Sequence, residues 1–453
     1  MLLGACLVAA AARAQLPAQR CAGPPSAPVA GSREPTVKDY EQILLRQPRN
    51  AHDYYDHGVL HERMGQYTSA ILDYTSAIGL DPCLAQAYER RGAVYASLGQ
   101  FERALQEADE AIRIDPNSSS VYVNRGATYE AMGQNQRALA DFSQAIALDP
   151  QSANAYVRRG ASFELTGEFD RAVQEYGEAI RINPGDAQAF FFRGRTLIRQ
   201  RQFERALDDL DRALRLNPRD AKAHQSRAAV FAAIGDHARS IQDYSEAIRL
   251  DAQYALAYQG RGDAYARTGQ PERALQDYTE AIRLNPKNAY AYYSRGLVRA
   301  GMRDHQRAIE DLNEAIQRKP DFALALRSRG MSYQKLDQYE RAVADFDAAI
   351  RLDPRDTIAL NELAWLLATS KQEQWRDGKR AVELARAACN ITGWKIPGLF
   401  DTYAAALAEA GKFEDAVKWQ EAALESSEFA RAQGAGASER LRLYREGKPY
   451  RAP

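Results

Sequence analysis

The sequence of 453 residues has no net charge, since 60 Lys and Arg side chains balance 60 Asp and Glu side chains. This balance disfavours a protein that binds phosphates through a basic surface, and it also disfavours a disordered acidic chain. Four cysteines are too few and too scattered for a disulfide scaffold or a zinc finger. Beyond residue 12 no stretch approaches the roughly 18 apolar residues of a membrane-spanning helix. We therefore expect neither an integral membrane span nor structural zinc.

Signatures of catalysis are also missing. The sequence has no glycine loop that would cradle a phosphate, no dinucleotide fingerprint and no nucleophile elbow. His57 and His61 have the i, i+4 spacing of two metal ligands, but Arg63-Met64-Gly65 follows Glu62, so the second histidine of a zinc-protease motif is absent. We expect His61 to be a packed residue, and we expect no catalytic residues, cofactor or metal.

The amino terminus has the features of an export signal. Residues 2–12 form an uncharged run of the length of a signal-peptide hydrophobic region, and Ala12-Arg13-Ala14 places small residues at a cleavage position. We predict a signal peptide over 1–14 and a flexible linker rich in Pro, Ala, Gly and Ser over 15–34. No Lys or Arg precedes the run, so a terminus without a targeting function is the alternative, and Leu3-Gly4-Ala5-Cys6 also resembles a lipoprotein acceptor site. The predicted location is periplasmic or secreted, with the cytoplasm as the alternative.

A pattern of 34 residues repeats nine times between Ala51 and Asp356, and Ala51 is position 1 of the first repeat. Aromatic residues at positions 4 and 11 lie on one face of a helix, and proline at position 32 ends a second helix in eight repeats. Glycine at position 8 costs about 1 kcal/mol of helix propensity relative to alanine, so a steric requirement must explain it. Alanine at position 27 in all nine repeats lets two helices approach closely.

This pattern is similar to the tetratricopeptide repeat. The resemblance implies an all-α fold, a right-handed superhelical α-solenoid of helix-turn-helix repeats. Residues 35–50 resemble a lone second helix, 51–356 are nine regular repeats, and 357–430 are two divergent repeats with five extra residues in the first. A capping helix and tail are expected over 431–453, with a charged amphipathic helix at 437–446 and a tail too polar and short to fold.

Two rows of opposite charge run through the repeats. Position 7 is arginine in eight repeats: Arg91, Arg125, Arg159, Arg193, Arg227, Arg261, Arg295 and Arg329. Position 23 is acidic in all nine: Asp73, Glu107, Asp141, Glu175, Asp209, Asp243, Asp277, Asp311 and Asp345. An anion-binding track is one interpretation, but in the divergent repeats both charges disappear together, which favours an ion pair between the two helices of each repeat.

The resemblance also implies a concave groove lined by positions 2, 5, 6, 9, 12 and 13 of the first helices. The fifth repeat and its neighbours combine aromatic and basic residues at these positions: Arg158, Phe191, Phe192, Arg195, Ile198, Arg199 and Lys222. Exposed aromatic and arginine side chains are enriched in binding hot spots, so we predict a partner-binding site here. The alternative is that the two phenylalanines fill space between repeats.

A second candidate site combines Tyr290, Tyr293 and Leu297, with Arg267 nearby. All four tryptophans lie between residues 365 and 419, where we predict an apolar plug that closes the array. A partner surface led by Trp375 on the inserted loop is the alternative.

Together these features favour a non-enzymatic scaffold that holds a segment of a partner protein or peptide, acidic and apolar in character. An RNA-reading helical repeat is the main alternative, but the small groove alanines and the balanced charge disfavour it, so no nucleic-acid partner is expected. An accessory subunit of an envelope enzyme complex is a further alternative.

Overall fold

The computed structural model describes residues 48–452, and within that range the chain is α-helical without a strand. The predicted all-α solenoid of helical repeats is confirmed. The chain divides into two compact units at the Arg219–Asp220 boundary. The predicted signal peptide at 1–14, the linker at 15–34 and the half-repeat helix at 35–50, except its last three residues, lie outside the described residues.

The first unit contains five repeats, numbered 1 to 5, of two antiparallel helices each. Its helices are α1 (Ala51–Arg63), α2 (Tyr67–Leu80), α3 (Ala85–Ser97), α4 (Phe101–Ile114), α5 (Ser119–Ala131), α6 (Asn135–Leu148), α7 (Ala153–Leu165), α8 (Phe169–Ile182), α9 (Ala187–Arg199) and α10 (Phe203–Leu216). The odd-numbered helix is the first helix of its repeat.

The second unit contains repeats 6 to 11 and a terminal helix. Its helices are α11 (Ala221–Ala233), α12 (His237–Leu250), α13 (Ala255–Arg267), α14 (Pro271–Leu284), α15 (Ala289–Gly301), α16 (His305–Arg318), α17 (Ala323–Lys335), α18 (Tyr339–Leu352), α19 (Thr357–Thr369), α20 (Gly378–Ile391), α21 (Pro397–Glu409), α22 (Phe413–Leu424) and α23 (Ser427–Arg445). A 3-10 turn at Glu373–Trp375 lies in the loop inserted between α19 and α20. Among the described residues, no helix is both long and apolar enough to cross a membrane.

The turn inside each repeat needs a residue in the left-handed conformation at position 15. Glycine supplies it in six regular repeats, with φ between 71° and 83°. In repeats 5, 8 and 9 the same place is taken by Arg201, Arg303 and Asp337, with φ of 59°, 65° and 55°. The turn geometry is therefore kept where the glycine is absent, although a residue with a β-carbon is strained in the left-handed conformation.

In seven regular repeats, glycine at position 8 makes room for the side chain at position 24 of the same repeat. A β-carbon on Gly126 would lie 2.7 Å from the ring of Phe142, and one on Gly330 would lie 2.9 Å from the ring of Phe346. Alanines at positions 20 and 27 of the second helix, such as Ala70 and Ala77, are fully buried. The expected steric requirement is thus a large side chain packed directly on the backbone of the first helix.

Repeat 6 meets the same requirement in a different way. It has Ala228 at position 8, and its Tyr244 packs instead against Gly260, at position 6 of repeat 7. A β-carbon on Gly260 would lie 2.3 Å from Cζ of the Tyr244 ring. The glycine that repeat 6 lacks is therefore supplied by the next repeat.

The substitution Gly260→Ala is expected to lower the free energy of unfolding by about 1–3 kcal/mol, because the buried Tyr244 ring must shift. The matched control is Gly301→Ala, where a β-carbon would have no neighbour within 4 Å. That change is expected to be neutral or to stabilise by up to about 1 kcal/mol. Thermal unfolding followed by circular dichroism checks both. Equal melting temperatures for the two variants would contradict the steric explanation.

The carboxyl-terminal end of the second unit is closed by aromatic packing. Trp394 and Trp419 stack with ring centroids 4.6 Å apart, and Trp365 and Trp375 pack against the largest apolar cluster. These contacts fit the predicted plug. The terminal helix begins at Ser427, before the expected residue 437. The expectation that the tail cannot fold is wrong: Tyr450 packs on the same cluster.

Candidate partner-binding groove

The charged rows at positions 7 and 23 are ion pairs inside each repeat. In repeats 2 to 9 the arginine donates to the acidic residue 16 positions later, with nitrogen-to-oxygen distances of 2.7 to 3.2 Å. In repeat 1, which has His57 at position 7, Asp73 instead contacts Nδ1 of His61 at 2.6 Å. The pairing interpretation explains these arginines without an anion-binding track, and His61 is a packed residue as expected.

Arginines of this row also bond to the preceding repeat, which the sequence did not predict. Arg125 donates to Asp109 of the preceding repeat at 2.7 Å, and Arg329 donates to Asn313 at 2.7 Å. Arg91, Arg159, Arg261 and Arg295 make the same contact with Thr75, Ser143, Ser245 and Thr279. Each of these arginines therefore joins two successive repeats.

The predicted site in the fifth repeat is a packed cluster. Phe191 is only 8% exposed, and Phe192 stacks on Tyr176 at 5.8 Å. The expected exposure is wrong for Phe191, whose ring contacts that of Phe192 and lies beside the Arg195 guanidinium.

Arg195 of the same cluster already has a carboxylate partner. Its Nη2 lies 2.6 Å from Glu164, and its guanidinium lies 5.8 Å from the ring of Phe191 and 5.3 Å from that of Phe192. Glu164 also accepts a hydrogen bond from Thr196. Replacing Phe191, Phe192 and Arg195 would thus disturb packing as well as any binding.

The other predicted residues of this site have more solvent contact. Arg158 and Arg199 are exposed, and Ile198 is half-buried. Arg158 lies 3.9 Å from Glu130, and Arg199 lies over the ring of Phe169. Lys222, at the start of the second unit, is exposed. Their role in binding a partner stays a prediction.

Groove charges in the first unit are paired across successive repeats. Glu62 contacts Arg90 at 3.5 Å, in the same way that Glu130 and Glu164 contact arginines of the next repeat. Burial raises the pKa of Glu130 and of Glu89, and Asn124 donates to Glu89 at 2.9 Å. This face offers few free charges to a ligand.

Repeats 7 to 10 differ from the earlier repeats at position 2. This position is exposed in every regular repeat and in repeat 10. In repeats 1 to 6 the residue is polar: His52, Gln86, Ser120, Asn154, Gln188 and Lys222. In repeats 7 to 10 it is apolar, with the exposed fraction in brackets: Leu256 (54%), Tyr290 (49%), Leu324 (43%) and Ile358 (47%). Since six repeats fold with a polar residue here, the fold does not require the apolar ones.

A second apolar row lies seven residues further along, on the same face of the first helices. Leu297 and Met331, at position 9 of repeats 8 and 9, are 40% and 37% exposed. Trp365 continues the row in repeat 10 and is half-buried. We call Leu256, Tyr290, Leu324, Ile358, Leu297 and Met331 the apolar rows.

The predicted residue Tyr290 belongs to these rows, and Tyr293 contacts the same phenylalanine as Tyr290. Both rings contact buried Phe322, with centroid distances of 5.0 and 4.9 Å. The Tyr290 hydroxyl accepts a hydrogen bond from Nζ of Lys319 at 2.9 Å. Tyr290 is therefore fixed from one side and open to solvent on the other, which is the arrangement of a preformed contact residue.

An open groove of about 780 Å³ runs along repeats 6 to 8 and includes Tyr293 and Leu297 in its lining. Its wall carries Asp263, whose carboxylate accepts a hydrogen bond from the Tyr278 hydroxyl at 2.7 Å. Burial raises the pKa of Asp263, while Tyr278, Ser294 and Arg267 oppose that rise. Alanines at positions 9, 12 and 13 leave the groove wide.

Sequence reasoning missed Leu256, Leu324, Met331, Ile358 and Asp263. The signal for three of them was present, because a comparison of position 2 across all repeats shows the change from polar to apolar residues. No group of three or more His, Cys, Asp or Glu side chains that could hold a metal ion occurs among residues 48–452.

The fold and the groove define a helical-repeat protein. Family models described as TPR repeat or tetratricopeptide repeat match residues 54–82, 92–187, 193–255 and 262–356. These ranges cover more than half of the chain, which therefore belongs to the tetratricopeptide repeat family. No curated protein matches the chain significantly.

Several solved structures are similar to the chain. YrrB, described as a TPR protein with an unusual peptide-binding site, is 24% identical, with 42% of this chain and 97% of that chain covered and a TM-score of 0.37. Yeast Tom70 is 16% identical, with 87% and 96% covered and a TM-score of 0.41. The APC/C hetero-tetramer Cut9-Hcn1 is 18% identical, with 79% and 76% covered and a TM-score of 0.47. Because every one of these TM-scores is below 0.5, they do not indicate what this chain binds.

Proposed function

We propose that this chain is a non-enzymatic interaction scaffold that binds a segment of a partner protein on the apolar rows of repeats 7 to 10. The observation that carries the proposal is the change at position 2, from polar side chains in six repeats to exposed apolar side chains in the next four. Monomeric proteins rarely keep a contiguous apolar surface exposed without a use for it.

The charges near the apolar rows indicate the character of the partner. Lys222, Arg267 and Lys335 occupy groove positions of the second unit and are exposed, whereas Asp263 and Glu362 are half-buried. Burial raises the pKa of Glu362, and Lys335 opposes that rise. A segment with apolar residues for the rows and carboxylates for the exposed cations would fit both features.

The proposed location is the cell envelope. The supporting features are the uncharged run at residues 2–12 and the small residues around Arg13, which are typical of exported proteins. The partner would then be another envelope protein.

The test compares cross-linked partners captured from intact cells, fractionated before capture to locate the protein. The variant Leu256→Ser, Tyr290→Ser, Leu324→Ser, Ile358→Ser gives repeats 7 to 10 polar residues like those of the earlier repeats. We expect this variant to bind its partners about tenfold or more weakly than the unsubstituted chain, and therefore to capture less of them. This corresponds to a loss of about 1.4 kcal/mol or more in binding free energy. Melting temperatures should change little because the side chains are exposed.

The control variant replaces exposed apolar residues at non-groove positions 14 and 30 of the same unit: Ile234→Ser, Met302→Ser, Leu352→Ser. It should capture the same partners as the unsubstituted chain. Equal capture by both variants would contradict the proposal. If the captured material is RNA and its release is linear in log salt concentration, the RNA-reading alternative is correct instead.

A further inference from the structure

The chain turns back on itself after the terminal helix α23. Gly447 has φ of 70°, and its amide and that of Lys448 donate to the carbonyls of Tyr444 and Leu443. This left-handed ending directs residues 449–452 toward the first helix of repeat 10. There the amide of Ala452 donates to the carbonyl of Thr369 at 2.9 Å.

An aromatic contact holds the middle of this tail. The ring of Tyr450 lies 6.1 Å from that of Trp365, and the guanidinium of Arg440 lies 5.3 Å from the Trp365 ring and 5.4 Å from the Tyr450 ring. Arg440 is fixed by two bonds of 2.9 Å to Asp401. Gln420 donates to the same carboxylate at 2.7 Å. The surface under Tyr450 is therefore built from Trp365 of repeat 10 and from Arg440 of the terminal helix, which Asp401 of repeat 11 holds in place.

An ion pair holds the end of the tail. Nη1 of Arg451 lies 2.6 Å from Glu409, whose other oxygen accepts from Arg376 at 3.1 Å. The tail contacts groove positions of the last two repeats. These are positions 9 and 13 of repeat 10, which are Trp365 and Thr369, and position 13 of repeat 11, which is Glu409. The tail thus lies on the groove face, as a bound peptide would.

The tail is less buried than the anchoring residues of the helix that precedes it. The terminal helix is anchored by its own buried residues Ala437, Arg440 and Tyr444, whereas Tyr450 and Arg451 are only half-buried. Trp365 also ends the position 9 row that Leu297 and Met331 begin. The Tyr450 ring therefore packs on Trp365, which is less exposed than Leu297 and Met331.

We propose that residues 447–452 are an intramolecular occupant of a peptide-binding cleft formed by Trp365, Thr369, Glu409 and Arg440. The cleft accepts an extended segment with an aromatic residue followed by arginine. The aromatic ring packs on Trp365 and Arg440, the arginine pairs with Glu409, and a backbone amide donates to Thr369. A partner with this pair of residues displaces the tail. The proposal does not depend on a ligand for the apolar rows of repeats 7 to 10.

The test uses a fluorescent peptide with the sequence of residues 446–453 and two forms of the full chain. In the opened form, Tyr450→Ala and Arg451→Ala remove the two side chains that hold the tail. Anisotropy should show that the peptide binds the opened chain at least about tenfold more tightly than the unsubstituted chain, since a tethered tail competes at an effective concentration of about millimolar. A peptide with the same two substitutions should lose about tenfold or more in affinity.

Two further variants of the opened chain locate the binding. Glu409→Gln should lower the affinity for the peptide, because it removes the carboxylate that pairs with the arginine of the peptide. The four serine substitutions in the apolar rows should leave peptide affinity unchanged, which separates failure of this proposal from failure of the proposed function. Equal peptide affinity for the opened and unsubstituted chains, or no binding to either, would overturn the proposal.

Hydrogen exchange on the unsubstituted chain gives a measurement that needs no variant. The amide of Ala452 should exchange at least about tenfold more slowly than a free terminus, because it donates to Thr369. Free exchange there would count against the occupied cleft. A dimer that dissociates in the opened chain would also overturn the intramolecular assignment, since the tail would then bind a second copy.

Discussion

The substitution Asp209→Ala is expected to lower the free energy of unfolding by about 3 kcal/mol. The Asp209 side chain is 7% exposed and accepts hydrogen bonds from Nε and Nη2 of Arg193 at 2.8 and 2.7 Å. Its removal leaves the Arg193 guanidinium, 24% exposed, without this carboxylate. The pair in repeat 5 is the clearest choice because the preceding repeat has Gly177 where others offer a side chain to the arginine.

The double substitution Arg193→Leu, Asp209→Leu should cost less than Asp209→Ala alone, because neither charge then remains buried. The exposed pair of Arg181 and Glu178 is the matched control, and Glu178→Ala should leave the unfolding midpoint nearly unchanged, because solvent screens this pair. Urea unfolding followed by circular dichroism measures all three, compared as midpoints because repeat arrays need not unfold in one step. If the double variant is as unstable as Asp209→Ala, pairing is not the reason for the two charged rows.

Stability is expected to fall steeply above pH 10. Burial raises the pKa of four tyrosines at position 24, namely Tyr74, Tyr176, Tyr244 and Tyr278. Below pH 10 these side chains are neutral in both states. Above it the unfolded chain loses its tyrosine protons while the folded chain keeps them, so the unfolded state gains stability. Each buried tyrosine should cost about 1.4 kcal/mol at pH 11, and the four together about 6 kcal/mol.

The chain provides its own control for this effect. Repeats 3 and 9 have Phe142 and Phe346 at position 24, both fully buried, so Tyr→Phe at the four positions should preserve packing. The fourfold variant should keep more stability between pH 9 and pH 11 than the unsubstituted chain, as measured by urea midpoints at each pH. Parallel curves for the two proteins would show that these tyrosines are not responsible.

Position-by-position comparison of the repeats predicted much of the fold. Glycine at position 8 indicated a steric requirement, and the structure shows that requirement to be a side chain 16 residues later, such as Phe142 opposite Gly126. The pairing of Arg193 with Asp209 was predictable for the same reason, since both charges disappear together at Leu363 and Leu384. These contacts lie inside one repeat and recur at the same positions of other repeats, so a comparison of the repeats can identify them.

Contacts between repeats were harder to predict. The bond from Arg125 to Asp109 was missed because position 25 varies among Asp, Thr, Ser and Asn, and the shared feature is only an oxygen within reach. The move of Tyr244 onto Gly260 joins two repeats and occurs once. A contact that is made in one repeat only cannot be recognised by comparing the repeats with one another.

The candidate site shows the same division. Aromatic and basic residues in the fifth repeat attracted the prediction, but whether Phe192 and Arg195 are free depends on Tyr176 and Glu164 of the preceding repeat. Side-chain type suggests a hot spot only when the side chain is free. The change to apolar residues at position 2 was visible in the sequence, and its meaning depended on exposure.

The sequence by itself determined the absence of net charge, the repeat, the helix pairs and the paired charges, because each of these is set by residues within one period. Only the tertiary structure decided which groove residues are spent on packing, which stay open to a partner, and where the terminal tail lies. Those outcomes depend on neighbours from other repeats, or in the case of Tyr450 and Trp365 on residues far apart in the chain. The burial of a groove side chain and the partner that it bonds depend on such neighbours, so the pattern within one repeat does not determine them.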